Sequence, residues 1–172
     1  PKFAGVYKVA SGEFVHNGQH RSGPDVIFNS MIPTNYYAVP GAGQEWIDEG
    51  GLVDRNACDR EQVNGFDFIY CSTDPSVSGT ISITMYDDNV ICAGPPTWPT
   101  INCAYAISGL PMGTGGGGIQ CWIVFVDLEG GFECPSDLSV FRTEGAAPNG
   151  IFGWGMVPMV NNTGPWLRKG GY

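Results

Sequence analysis

Lysine is nearly absent. Only Lys2, Lys8 and Lys169 are lysines, and Lys plus Arg number 8 against 17 acids, for a net charge of -9. Phosphate binding needs clustered basic side chains, so nucleic acid is excluded as a partner. Charged residues make up only 15% of the chain, against roughly a quarter in a typical soluble domain. A surface with so little charge is kept in solution by Ser, Thr, Asn and exposed backbone, or is covered by neighbours in an assembly. Lysine is also the common guard against a sheet edge pairing with another chain. Without it, edge-to-edge association is permitted.

Other absences narrow the chemistry. No run approaches about 18 apolar residues, so no membrane span is expected. The chain starts at Pro1 with neither Met nor an apolar leader, which reads as a mature, processed secreted protein. No pair of cysteines has C-x-x-C or C-x-x-C-H spacing, which leaves zinc, haem and thioredoxin-type readings without a motif. The two histidines, His16 and His20, are spaced i, i+4, but Gly18 between them and Arg21-Ser22-Gly23-Pro24 after them make the segment a loop, with no third ligand fixed nearby. No Gly-x-Ser-x-Gly elbow is present for Ser-His-Asp catalysis. The acid pairs Asp87-Asp88, Asp48-Glu49 and Asp127 with Glu129 are of a kind that arises by chance in an acidic chain, and adjacent acids on a strand point to opposite faces. Asp54 to Glu61 and Asp87 to Asn89 lack EF-hand spacing and read as solvated turns. No catalytic, metal or cofactor site is therefore expected, and the chain does not read as an enzyme.

What is abundant is glycine (26) and proline (13), beside 42% hydrophobic and 12% aromatic residues. That mixture fits short strands joined by many turns and not a disordered chain. Cys121-Trp122-Ile123-Val124-Phe125-Val126-Asp127-Leu128 is the most apolar run. It reads as a strand buried on both faces, Ile123 and Phe125 on one side and Trp122, Val124 and Val126 on the other. Phe66, Phe68 and Tyr70, then Ile81, Ile83 and Met85, alternate with other residues as strands with one apolar face. Ala104 to Ile107 is a further strand and Ile151 to Val157 the last. Strands 81–85 and 151–157 are the expected core partners of the 121–128 run. In the last strand Gly153 and Gly155 leave one face bare, where a backbone or flat ring can lie close. Val26 to Phe28 is a short strand and Pro33 to Gly43 a loop carrying Tyr36-Tyr37. A single helical turn, at Gln44 to Glu49 or Asp54 to Gln62, is the most helix the pattern allows. Gly109 to Gly118 is a flexible connection that lacks a phosphate-loop signature. The fold class is all-β: a disulfide-stabilised β-sandwich or jelly-roll-like domain with long Gly/Pro-rich loops, residues 21–172, preceded by an N-terminal strand or arm, residues 1–20.

Six cysteines, Cys58, Cys71, Cys92, Cys103, Cys121 and Cys134, read as three disulfides in an oxidising compartment. Of fifteen connectivities, the sequential one, Cys58–Cys71, Cys92–Cys103 and Cys121–Cys134, is the working expectation, each loop contributing about 3 kcal/mol. Asn161-Asn162-Thr163 is a glycosylation sequon at Asn161.

The phrases Asn64-Gly65-Phe66-Asp67-Phe68-Ile69-Tyr70-Cys71, Cys103-Ala104-Tyr105-Ala106-Ile107-Ser108-Gly109-Leu110-Pro111 and Cys121 to Leu128, with Gly153-Trp154-Gly155 and Thr163-Gly164-Pro165-Trp166, resemble a loosely defined group of secreted β-rich proteins of planctomycete-like bacteria. The resemblance covers about residues 45 to 167 and its motifs are structural: strands, cysteines and turns. It implies secretion and a β fold and brings no activity with it.

Two functions fit. Low charge, few lysines, disulfides and a strand-like N-terminal segment point to a structural subunit of an extracellular filament, pilus-like fibre, coat or matrix. Its partners would be copies of itself, joined by strand addition, with Phe3, Val6, Tyr7 and Val9 as the assembly residues. The alternative is a secreted carbohydrate-binding module, in which loop aromatics, Trp98 and Trp166 foremost with Tyr36-Tyr37 and Trp46, stack on a cell-surface polysaccharide. Both place the protein outside the cell or on its surface.

Overall fold

The computed structural model describes residues 1–16, 18, 36–51, 63–87, 100–114, 118–134 and 151–167. Among them run ten strands and no helix: β1 (Lys2–Lys8), β2 (Glu13–His16), β3 (Tyr36–Tyr37), β4 (Trp46–Gly51), β5 (Gly65–Ser72), β6 (Ser78–Asp87), β7 (Thr100–Pro111), β8 (Gln120–Asp127), β9 (Ile151–Pro158) and β10 (Thr163–Leu167). They form a six-stranded sheet in the order β2-β1-β8-β5-β10-β3 and a four-stranded sheet in the order β4-β9-β6-β7. All neighbours are antiparallel except β1 and β8, which run parallel.

The architecture is a β-sandwich, because the strongest period-two strands face one another across a shared core. Phe68 and Tyr70 of β5 and Val124 and Val126 of β8 pack with Ile81, Ile83 and Met85 of β6, Ile107 and Leu110 of β7, and Phe152 and Met156 of β9. β8 therefore meets β6 and β9 across the core and not edge to edge; its backbone partners are β1 and β5. Its core face is sealed, with Val124 and Val126 at 0% exposure. The opposite face is only half covered at Ile123 and Phe125.

β1 departs from simple alternation. A register shift between Phe3 and Gly5 turns Ala4 and Tyr7 toward the core, while Phe3 and Val6 share the outer face with Ile123 and Phe125. Gly5 makes this irregularity with φ +151, and a Cβ there would stand 2.3 Å from the Val15 carbonyl oxygen. An L side chain tolerates neither condition.

Several expectations are corrected. The sequential disulfide pairing is wrong: Cys71 is joined to Cys121 and Cys103 to Cys134. Cys71 and Cys121 are direct cross-strand partners on β5 and β8 with Cα atoms 4.0 Å apart, so the register forces their meeting. Cys58 and Cys92 lie outside the described residues, as do the 26–28 strand and the 54–62 helical turn. The turn of helix expected at 44–49 is instead the strand β4, because Ile47 and Glu49 find Gly155 and Gly153 opposite and the backbones can close into a ladder. Tyr36-Tyr37, Trp46 and Trp166, expected in loops, lie in strands β3, β4 and β10. The bare glycine of β9 is covered by the side chain of Glu45 and not by a ring. Aromatic cover of a glycine does occur, at Gly65, over which the Phe125 ring lies.

One polar contact ties the sheets together and a second ties β5 to β10 within the six-stranded sheet. The Tyr70 hydroxyl, fully buried, donates to the Pro111 carbonyl at 2.5 Å, from one sheet to the other. At the same end Ser72 Oγ and Thr163 Oγ1 lie 2.7 Å apart, both residues at 0% exposure. The two disulfides fit an oxidising environment.

Candidate assembly edge

Among the described residues each sheet has two strands with only one neighbour, and the four edges differ in length and charge. β3 is two residues long, β2 carries Glu13, and β4 carries Asp48 and Glu49. β7 is twelve residues long and contains no charged residue from Thr100 to Pro111. Short edges and inward or flanking charges are two of the ways in which sheets resist further pairing, and bulges are a third. β7 has neither of the first two, and its two irregularities leave the stretch between them regular.

Two irregularities shape this edge. The β6–β7 register shifts once between Met85 and Tyr86, opposite Asn102, and once between Gly79 and Ile81, opposite Ser108-Gly109. Gly109 takes φ +75, a conformation natural to glycine, and Phe14 of β2 packs beside it. Bulges bend a strand, so the regular part is Cys103 to Ile107. There Cys103, Tyr105 and Ile107 share the inward face with Met85, Ile83 and Ile81, while Ala104 and Ala106 are exposed beside Thr84 and Ser82. Ile101, before this stretch, is 61% exposed.

The inward face of the edge is fixed from the other sheet. After β8, Gly130 and Gly131 take φ +102 and +97, and the turn is held by the Asp127 carboxylate accepting from Glu129 N at 3.0 Å and the Glu133 carboxylate accepting from Gly130 N and Gly131 N at 3.1 and 2.9 Å. These bonds from backbone N–H groups, its own included, hold the Glu133 carboxyl below the usual range. The turn delivers Cys134 to a bridge with Val63, where Cys134 N donates to Val63 O at 3.0 Å. The disulfide from there to Cys103 crosses to the second sheet. The Tyr105 hydroxyl donates to Phe132 O at 2.8 Å on the same side. The stretch 103–105 is thus anchored on its inward side and accessible on its outward one.

Tyrosine burial adds a pH dependence. The Tyr105 hydroxyl is pushed up to about 12 by burial and then by the Glu133 charge; Tyr86 is pushed up to about 12 by burial and then by the hydroxyl's bond to Glu45; Tyr70 is raised by burial. The unfolded chain loses these protons near the ordinary value of 10.0 while the folded one keeps them. Their contribution is therefore complete below that value and is lost as pH rises through the folded values. Thermal unfolding followed from about pH 9 to about pH 11.5 is expected to show a falling midpoint above about pH 10; a midpoint flat across that window would mean that the hydroxyls are not held as described.

The other candidate residues are dispersed. Phe3, Val6, Tyr7 and Val9 belong to β1 and the turn after it, within their own chain's sheet. His16 ends β2, its ring edge-on to Phe14 at 4.8 Å, and His20 lies outside the described residues. Asp127 and Glu129 belong to the turn just described. Trp98 lies outside the described residues. Trp166 is partly buried in β10, opposite Tyr37. Asn161 is exposed in the β9–β10 turn, its side-chain oxygen accepting from Ala42 N at 3.4 Å, while the Thr163 hydroxyl of the same sequon is buried. No helix of the described residues is long and apolar enough to cross a membrane. What the sequence reading missed is that 104–107 extends to a twelve-residue edge; the absence of charge between Thr100 and Pro111 was the visible signal. Comparison with models of protein families, with curated proteins and with solved structures finds no match for this chain.

Proposed function

We propose that the protein is a structural, non-enzymatic subunit of an extracellular or cell-surface assembly, joined to copies of itself by strand addition. The observation that carries this reading is β7: a long edge strand without a charged side chain, in a chain nearly without lysine. A second copy offers a backbone ladder to such an edge, and the small outward residues Ala104 and Ala106 let its side chains lie close. Four of the exposed large hydrophobics, Val39, Val77, Ile119 and Met159, stand in loops at the end of the sandwich where Ser72 meets Gln120 and Ser78 meets Pro111. Burial by neighbours accounts for apolar side chains left there. The carbohydrate-binding alternative has less support, since Trp166 is a paired strand residue and not a loop platform.

Lysine at Ala104 or Ala106 supplies the missing guard. The wild-type protein at high concentration is expected to sediment as large species and to show ordered assemblies by negative-stain microscopy. A104K and A106K are expected to remain folded by circular dichroism and to need at least about tenfold more protein to assemble. A wild-type protein that stays monomeric at millimolar concentration sinks the reading.

A further inference from the structure

We infer that the β1–β2 hairpin, residues 2–16, is the element exchanged between copies, docking on β8 of a neighbouring subunit; this inference rests on the assembly reading above and names the partner surface. The hairpin stands at the end of the six-stranded sheet, and among the described strands its one backbone partner outside itself is β8. Lifting it out therefore breaks one ladder. β8 stays with the body, because β5 pairs along its whole length from Ser72↔Gln120 to Gly65↔Asp127 and Cys71–Cys121 ties the two covalently. The edge uncovered would run from Gln120 to Val126 without a charged side chain, so nothing in β8 discriminates between its own hairpin and another copy's.

Topology gives the hairpin freedom to choose. The chain leaves it at β2, one edge of the sheet, and re-enters the sheet at β3, the opposite edge. Five strand spacings separate those edges, about 24 Å, while residues 17–35 reach about 60 Å when extended. A connection with that much length serves a neighbouring body as well as its own. Exchange replaces each contact of Ala4, Val6 and Tyr7, which are 7%, 6% and 6% exposed, by the identical contact in another copy. The balance is then set by protein concentration and connection length, not by the contacts themselves. A β7-to-β7 contact relates two copies symmetrically and by itself gives a dimer; one-way exchange of the hairpin, which leaves a free acceptor and a free donor at the two ends, joins such dimers into longer assemblies, so both contacts are needed for them.

Lys8 and Asp127 are registered partners across the β1–β8 ladder and line one surface cleft. Equal amounts of unlabelled and 15N-labelled wild-type protein, unfolded together, refolded and assembled, would be coupled with a zero-length carbodiimide and digested. Exchange predicts that about half of the Lys8–Asp127 cross-linked peptides in the assembled fraction join a light half to a heavy one. Assembled protein in which every such peptide is wholly light or wholly heavy overturns the exchange and leaves the assembly reading standing. Mixed peptides confined to closed dimers uphold the exchange and overturn the filament. A sample with no assembled fraction overturns both. The pair K8C with D127C, bridged by a short bis-maleimide, gives the same readout by a second chemistry.

Discussion

Replacing Cys103 and Cys134 together with serine is expected to lower the unfolding free energy by about 4 kcal/mol. The bond closes a loop of separation 31, and the constraint it places on the unfolded chain grows with the logarithm of that length. A single domain is stable by about 5–15 kcal/mol in total, so the variant is expected to be marginal. The loss should appear as a urea midpoint lower by about 2 M, with a steeper slope because the released unfolded chain exposes more surface. Cys71–Cys121, with separation 50, is worth a similar amount alone. The two loops overlap in sequence, since Cys103 lies between Cys71 and Cys121 and Cys121 between Cys103 and Cys134. Either bond shortens the effective loop that the other closes, so removing the second bond after the first is expected to cost more than removing it from the intact protein, and the fourfold variant should lose more than the sum of the two separate losses. The Cys103 bond also differs in kind. It joins the sheets, whereas Cys71–Cys121 fastens two strands already paired, so only the C103S/C134S variant should speed amide exchange along Cys103 to Ile107. Equal exchange in both variants would show that the inter-sheet bond does not hold the edge.

Gly164→Ala is expected to destabilise the protein by about 3 kcal/mol, while Gly155→Ala costs about 1 kcal/mol. A Cβ at either position would come within 2.0 Å of an oxygen, so the distance alone does not separate them. The difference lies in what owns the oxygen. At Gly164 it is the Ala38 backbone carbonyl, with the Pro40 ring close behind, and Ala38 N donates to Pro165 O at 3.1 Å. Relief requires that segment to leave β10, with loss of the β3 pairing beyond it. At Gly155 the oxygen is Oε1 of Glu45, the end of a flexible arm that accepts from the Tyr86 hydroxyl. That carboxylate can swing away, and the loss is one hydrogen bond. Chemical denaturation of the two variants decides the matter, and similar losses for both would contradict the assignment of a rigid contact to one and a mobile contact to the other.

These two glycines also mark where the sequence stopped being legible. β5, β6 and β9 were readable because their bulky residues alternate, and β8 because it is a short unbroken apolar run between turn residues. β10 was hidden because Thr163-Gly164-Pro165 has the composition of a turn, yet Pro165 is buried between β5 and β3, a place that the missing N–H of proline argues against. β4 was hidden because Asp48-Glu49-Gly50-Gly51 lacks an apolar face; it becomes a strand only through the glycine-rich backbone of β9. Phe3 and Tyr7 are four residues apart, which in a regular strand puts them on one face; the irregularity at Gly5 puts them on opposite faces. Cysteine pairing followed sheet register, which spacing along the chain does not encode. The strand core of the candidate edge, 104–107, could be read. Its place at an edge could not, since different sandwich topologies share one alternating pattern.

The parallel join of β1 to β8 sets a timetable. β1 and β2 adjoin in sequence and can pair within about 10 μs of leaving the ribosome. The strand they dock on follows more than a hundred residues later. At about 5–20 residues per second, the hairpin waits for roughly ten seconds with its apolar side uncommitted. β5 is made before β8 and can receive it from the far side, while β10, which carries β3 and completes the other end of the sheet, is made later still. Whichever open β8, its own when it arrives or one already presented by another copy, takes the hairpin first decides which chain the first sixteen residues belong to.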